Sequence, residues 1–121
     1  PIRTVRAETT ERSVRLVMLA EPGSPGGFRH EFDVPVSIRR VRVLGGTVVP
    51  FSDEMPDGPE PKKTPWYRYD SASQVLSVEN VTVPRAAADT ARFAPYLNRD
   101  EETKCAGTGL VPLVAEIEFE R

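Results

Sequence analysis

The chain holds one histidine and one cysteine, His30 and Cys105. Nucleophilic or general-base chemistry built on imidazole or thiol would have to use one of them, with a carboxylate to orient it. His30 sits between Phe28 and Phe32 at a spacing of two, which puts it on the phenylalanine face of a strand. That setting predicts a packed or half-buried imidazole rather than a base. Cys105 has Lys104 beside it, but the sequence that follows, Ala106-Gly107-Thr108-Gly109, supplies no base to lower a thiol pKa. Gly107-Thr108-Gly109 also lacks the Gly-Lys-Ser/Thr ending of a phosphate loop. A zinc site needs a cluster of imidazole and thiolate ligands, and one of each, far apart, does not make one. Asp53, Glu54, Asp57 and Glu60 gather oxygen donors around Gly58. Their spacing departs from the helix–loop–helix calcium pattern and reads as a solvated acidic loop. Asp100-Glu101-Glu102 is a weaker case of the same kind, and no two acids are singled out as a hydrolytic pair. The expectation is no catalytic residue, no metal and no cofactor.

Two other groups of residues could bind rather than react. Arg39, Arg40 and Arg42, joined by Arg15 and Arg29 on neighbouring strands, form a candidate interaction patch for an acidic partner. The competing reading pairs those arginines with Glu116 and Glu118 across a sheet. Trp66, Tyr67 and Tyr69 follow a proline-rich stretch and form a candidate ligand site. Successive strand residues face opposite ways. Either Trp66 is in the core with both tyrosines outside, or the reverse. An outward aromatic there could stack on a sugar or anchor a protein.

The elements that must position these groups are strands. Ile2 to Ala7 alternates as a short strand at an edge. Ser13 to Ala20 is apolar on both faces and reads as a central strand. Glu21 to Gly27 is a turn, and Phe28 to Val34 reads as the return strand of a hairpin. In Ile38 to Leu44, Ile38 is out of phase with Val41 and Val43, so a bulge between them is required. Gly45-Gly46 then suggests a hairpin back through Thr47 to Phe51. Residues 52–65 carry four prolines and form a loop. Trp66 to Asp70 and Gln74 to Val83 are strands around a turn at Ser71 to Ser73. A short helix is expected near 85–94, after Pro84, ended by Pro95. Asn98 to Gly109 reads as polar turns. Leu110 to Glu120 closes the chain, with Leu113, Ala115, Ile117 and Phe119 facing the core and Val114, Glu116, Glu118 and Glu120 on an acidic solvated face. Seven or eight short strands with one short helix predict a mainly β fold, an antiparallel β-sandwich or open barrel, over a single domain, 1–121.

Composition narrows the partners. At 121 residues there is room for one domain with a real core. A formal charge of −2 argues against a nucleic-acid binder. No run is apolar for long enough to span a membrane, and one cysteine excludes an internal disulfide. Asn80-Val81-Thr82 is a glycosylation sequon, of consequence only in a secreted chain. The sequence starts at Pro1 rather than Met, which suggests a piece of a longer polypeptide.

One stretch carries a family resemblance. Ile38-Arg39-Arg40-Val41-Arg42-Val43-Leu44-Gly45, the loop through Asp57-Gly58, Trp66-Tyr67-Arg68-Tyr69-Asp70 and Gln74-Val75-Leu76-Ser77-Val78 together resemble the last β-sandwich domain of family 31 glycoside hydrolases, the α-glucosidase family. The match covers about a third of the chain, and Pro84 to Gly109 departs from it. The resemblance implies an accessory domain. The catalytic acids of that family lie in a separate barrel domain, so none carries over.

The expected function is therefore a non-catalytic accessory or protein-interaction domain, partnered by a neighbouring domain or subunit. The alternative is a carbohydrate-binding module that uses Trp66, Tyr67 or Tyr69. The third reading is a small hydrolytic enzyme that uses His30 or Cys105.

Overall fold

A computed structural model of the chain describes residues 2–23, 25–44, 46–51, 64–85 and 91–121. Among them the chain forms two four-stranded sheets packed as a β-sandwich. The strands are β1 (Arg3–Thr9), β2 (Ser13–Ala20), β3 (Pro25–Glu31), β4 (Ser37–Val43), β5 (Val49–Pro50), β6 (Trp66–Asp70), β7 (Val75–Thr82) and β8 (Val111–Glu120). Sheet A has the order β1-β2-β8-β4 and sheet B the order β3-β7-β6-β5. All pairings are antiparallel except the two-residue parallel contact of β5 with β6. No helix among the described residues is long and apolar enough to cross a membrane.

The core follows from period-two alternation. Val14, Leu16 and Met18 of β2 and Leu113, Ala115, Ile117 and Phe119 of β8 are buried together with Leu76 and Val78 of β7 and Phe28 of β3. β2 and β8 are the internal strands of sheet A and pair without a break from Ser13↔Glu118 to Ala20↔Val111. Burial of this many apolar side chains is the main stabilising term of the domain.

Three long strands lie at sheet edges, and each carries an irregularity. The register of β1 shifts between Thr4 and Arg6, that of β3 between Gly26 and Phe28, and that of β4 between Ile38 and Arg40. The last is the bulge that the phase of Ile38 requires. The fourth edge strand, β5, is two residues long and contains Pro50. At the β3–β7 shift the extra residue lies on β7, where Asn80 has φ 63°, and the facing position on β3 needs a glycine: a Cβ on Gly27 would lie 2.4 Å from the Val78 carbonyl oxygen and 2.4 Å from Glu79 Oε2. Bulges, prolines and short edges are how sheets avoid pairing with further strands.

Three connections differ from the sequence reading. β2 and β3 are not a hairpin: β3 leaves sheet A and pairs with β7, because the Pro-Gly turn is long enough to cross the sandwich. The return after Gly46 makes one bridge, Val41↔Val48, before Val49 joins sheet B. Pro50 lacks the N–H needed to extend that ladder. The polar stretch after Leu97 is a helix, α1 (Arg99–Thr108), preceded by a 3-10 helix at Ala91–Tyr96. Pro95 lies inside the 3-10 helix and does not end it. The helix expected near 85–94 falls partly on 86–90, outside the described residues, as does the greater part of the proline-rich loop at 52–65 with its acidic residues.

α1 shows no apolar stripe, which is why hydrophobic periodicity misses it; its ends are what define it. Asn98 is its N-cap and accepts from Glu101 N at 2.9 Å, and the Glu101 carboxylate accepts from Asn98 N at 2.9 Å, a complete capping box. Gly109 closes it at φ 74°, donating its N–H to the Cys105 carbonyl.

Candidate functional site

The register of β6 decides the aromatic triplet. Tyr67 faces Val78 and Tyr69 faces Leu76, both of them core residues. Tyr67 is 8% exposed, and burial pushes its phenol pKa up. Tyr69 is half-buried; its ring meets Phe32 edge-on at 6.0 Å and its hydroxyl accepts from Val36 N at 3.2 Å. The second of the two alternation patterns therefore holds: both tyrosines point inward, and Trp66 lies on the outer face of sheet B.

Around Trp66 the outer face gathers a small aromatic and cationic patch at the β5–β6 edge. Val49 is the register partner of Trp66 and is 40% exposed, the one large hydrophobic side chain so exposed among the described residues. Phe51 donates its N–H to the Tyr67 carbonyl at 2.6 Å, which fixes its ring 4.9 Å from that of Trp66. The Arg68 guanidinium, two residues beyond Trp66 on the same face, stands 4.1 Å from the centroid of the Phe51 ring. An open groove lined by Ile38, Pro50, Phe51, Tyr67, Arg68 and Tyr69 runs beside this patch. Val49 and Phe51 were not among the residues singled out by sequence. The signal for them is their alternation with Pro50 immediately before the proline-rich stretch, which becomes informative once Val49 is paired with Trp66.

The arginine group lies on the outer face of sheet A. Arg42 reaches Glu116 at 3.4 Å, Arg40 reaches Glu118 at 3.1 Å, and Arg39 pairs with Glu120. Arg15, on the other side of β8, is 3.9 Å from Glu116. A positive column on β4 thus lies against a negative column on β8. Its charges are matched within the sheet, with side chains that are largely solvated at Arg39 and Glu120.

His30 lies on edge strand β3, opposite Leu76. Its ring contacts Phe32 edge-on at 4.8 Å, and burial lowers its pKa from the ordinary 6.5. No hydrogen bond to the imidazole occurs among the described residues. Cys105 is half-buried on α1. Burial first, then the charges of Glu101 and Glu102, raise its thiol pKa above the ordinary value. That direction opposes thiolate formation. Among the described residues no three His, Cys, Asp or Glu side chains are grouped so as to hold a metal ion.

The remaining charged centre is one the sequence reading missed. Glu101 is 4% exposed, the one charged side chain among the described residues that is buried. Arg6 Nε donates to its Oε2 at 2.9 Å and Arg6 Nη2 to its Oε1 at 3.1 Å; Nη2 also donates to the Tyr96 carbonyl. The Arg6 hydrogen bond, followed by that from Asn98 N–H, holds the Glu101 carboxyl below the usual range despite its burial. This cluster joins the helical segment to the outer face of sheet A. The available sequence signal was Asn98 followed by Glu101 three residues later.

Compared with protein-family models, curated proteins and solved structures, the chain matches none of them.

Proposed function

We propose that this chain is a non-catalytic β-sandwich domain that docks on a neighbouring protein domain or subunit through the β5–β6 edge of sheet B. The observation that carries this reading is the grouping of Val49, Phe51, Trp66 and Arg68 on the outer face, beside an open groove and away from the core. Tryptophan and arginine are the residue types most enriched where a few side chains dominate binding. The irregular sheet edges favour docking by a face over addition of a strand. The resemblance to the last sandwich domain of family 31 glycoside hydrolases is one form of this reading, in which the neighbour is a catalytic barrel. The test places a photo-crosslinking residue at position 49 or, on the outer face of the opposite sheet, at position 40. The reading expects one discrete adduct from position 49, lost with Trp66→Ala, and none from position 40. Equal yields from both positions, or no adduct from position 49, would refute it.

A second reading, a carbohydrate-binding module, is favoured by the place of Trp66 on the outer face of sheet B, since an outward aromatic ring can stack on a sugar. Of the three aromatics first considered, it now rests on Trp66. It expects quenching of the single tryptophan by one glycan class, with a matching rise in melting temperature. An unchanged spectrum and melt across a glycan panel would remove it.

A further inference from the structure

The segment from Ala91 to Thr108 crosses the outer face of sheet A, and its hold on that face is of an unusual kind. The 3-10 helix packs against β8, with Phe93 fully buried, and Tyr96 lies under the Arg15 guanidinium at 4.9 Å. α1, by contrast, buries Glu101 and no apolar side chain. A ten-residue helix is marginal by itself. One that is polar on every face draws no stability from burying an apolar stripe. What fixes α1 to the sandwich is therefore the Arg6–Glu101 pair, and the same carboxylate also closes the capping box.

We propose that α1 (Arg99–Thr108) is a strap that opens and closes over sheet A as a unit of its own, without unfolding of the sandwich or release of Phe93 from the core, and that the Arg6–Glu101 pair is its latch. The two functions of Glu101 make the opening cooperative: release of the carboxylate loses the tie to β1 and the N-terminal cap together. The sandwich has no matching dependence on the strap, because β2 and β8 pair without a break and bury their inner faces against sheet B. Opening releases the Arg6 guanidinium from Glu101 and leaves it beside Glu8 of the same strand. This inference is independent of the docking patch on sheet B.

Native-state hydrogen exchange tests it. In the unmodified chain, amides of α1 should be protected, yet exchange at least about a hundredfold faster than the central amides of β2 and β8 and with little dependence on denaturant. Arg6→Ala should speed exchange in α1 by about tenfold or more, with α1 still exchanging faster than β2 and β8 and with little dependence on denaturant. Glu101→Gln, which keeps the side-chain shape, should act in the same direction. Common protection and denaturant dependence for α1 and β8 would overturn the proposal, since the strap would then open only with the whole domain. Unprotected α1 amides in the unmodified chain, or no response of α1 to either substitution, would overturn the latch. If Arg6→Ala does not fold, the exchange pattern of the unmodified chain alone still decides the first point.

Discussion

Arg6 and Glu101, 95 positions apart in the chain, meet through two hydrogen bonds of 2.9 and 3.1 Å. Arg6 Nη2 also holds the Tyr96 carbonyl, and Glu101 Oε1 also accepts from Asn98 N. Each partner thus satisfies groups that the other alone could not. Removal of Arg6 leaves the buried Glu101 carboxylate without its cation, whereas Arg6 without Glu101 still has Glu8 beside it, and for a part-buried pair of this kind loss of Arg6 costs about 3 kcal/mol. Arg6→Ala is expected to lower the melting temperature by about 10 °C in a domain of this size. Replacing both residues by apolar ones, Arg6→Met with Glu101→Leu, should recover most of that loss, because no charge is then stranded. A melt within about 2 °C of the original for Arg6→Ala would mean the pair is worth no more than a surface contact.

Two of the shifted acid–base groups, His30 and Glu101, separate in pH. The His30 pKa is lowered by burial, so the folded chain binds fewer protons than the unfolded chain as pH falls below the ordinary 6.5. Its contribution is intact above that value and is lost as pH falls toward the folded pKa. The Glu101 pKa is lowered too, by Arg6 first, so its contribution is intact above the ordinary 4.5 and is lost as pH falls through the folded value. Denaturant unfolding of His30→Leu against the original chain should give a stability difference that is flat above about pH 7 and shifts in favour of His30→Leu below pH 6. Glu101→Gln should leave the first window unchanged and remove the second. A parallel pair of pH curves for His30→Leu would show that the imidazole protonates as easily folded as unfolded.

These features also mark where the sequence was legible. β2, β6 and β8 stand out from alternation because both their faces have clear characters, and the out-of-phase Ile38 announces the β4 bulge. The partner of β3 could not be read, since alternation says which face is buried but not which strand lies alongside. α1 was hidden because its stability comes from two ends and one tertiary ion pair, and neither leaves a hydrophobic period. For the aromatic triplet the sequence narrowed the choice to two opposite patterns. Choosing between them needed Val78 and Leu76, which sit across from Tyr67 and Tyr69.

The charge columns on sheet A differ in value along their length. Glu116 stands between Arg42 at 3.4 Å and Arg15 at 3.9 Å, and its side chain is 22% exposed. The Nε atoms of both arginines are buried and make no hydrogen bond among the described residues. Glu116→Gln leaves two guanidiniums facing each other across β8 and should cost about 1–2 kcal/mol. Glu120 and Arg39 are more than half exposed, and Glu120→Gln should fall within about 0.5 kcal/mol of zero. Chemical denaturation of the two variants side by side checks the ranking. Equal losses would mean that position along the column does not matter.

The edge irregularities make a prediction about association. In β1, Thr4 pairs with Met18 and Arg6 with Val17, so Val5 is the extra residue of the bulge. Its deletion keeps both halves of the β1–β2 ladder in register and straightens the edge. The seven-residue strand becomes a six-residue edge strand with a regular backbone, which offers a row of free N–H and C=O groups to a second copy. Without the bulge, antiparallel pairing of two β1 strands about Ala7 would set Arg6 of each copy against Glu8 of the other, two favourable cross-strand pairs. The deletion variant should therefore self-associate at concentrations where the original chain does not, with a rise in apparent mass by light scattering that Glu8→Arg then suppresses. If its mass follows that of the original chain over the same range, the bulge does not guard this edge, and the exposed charges of β1 are sufficient to keep it unpaired.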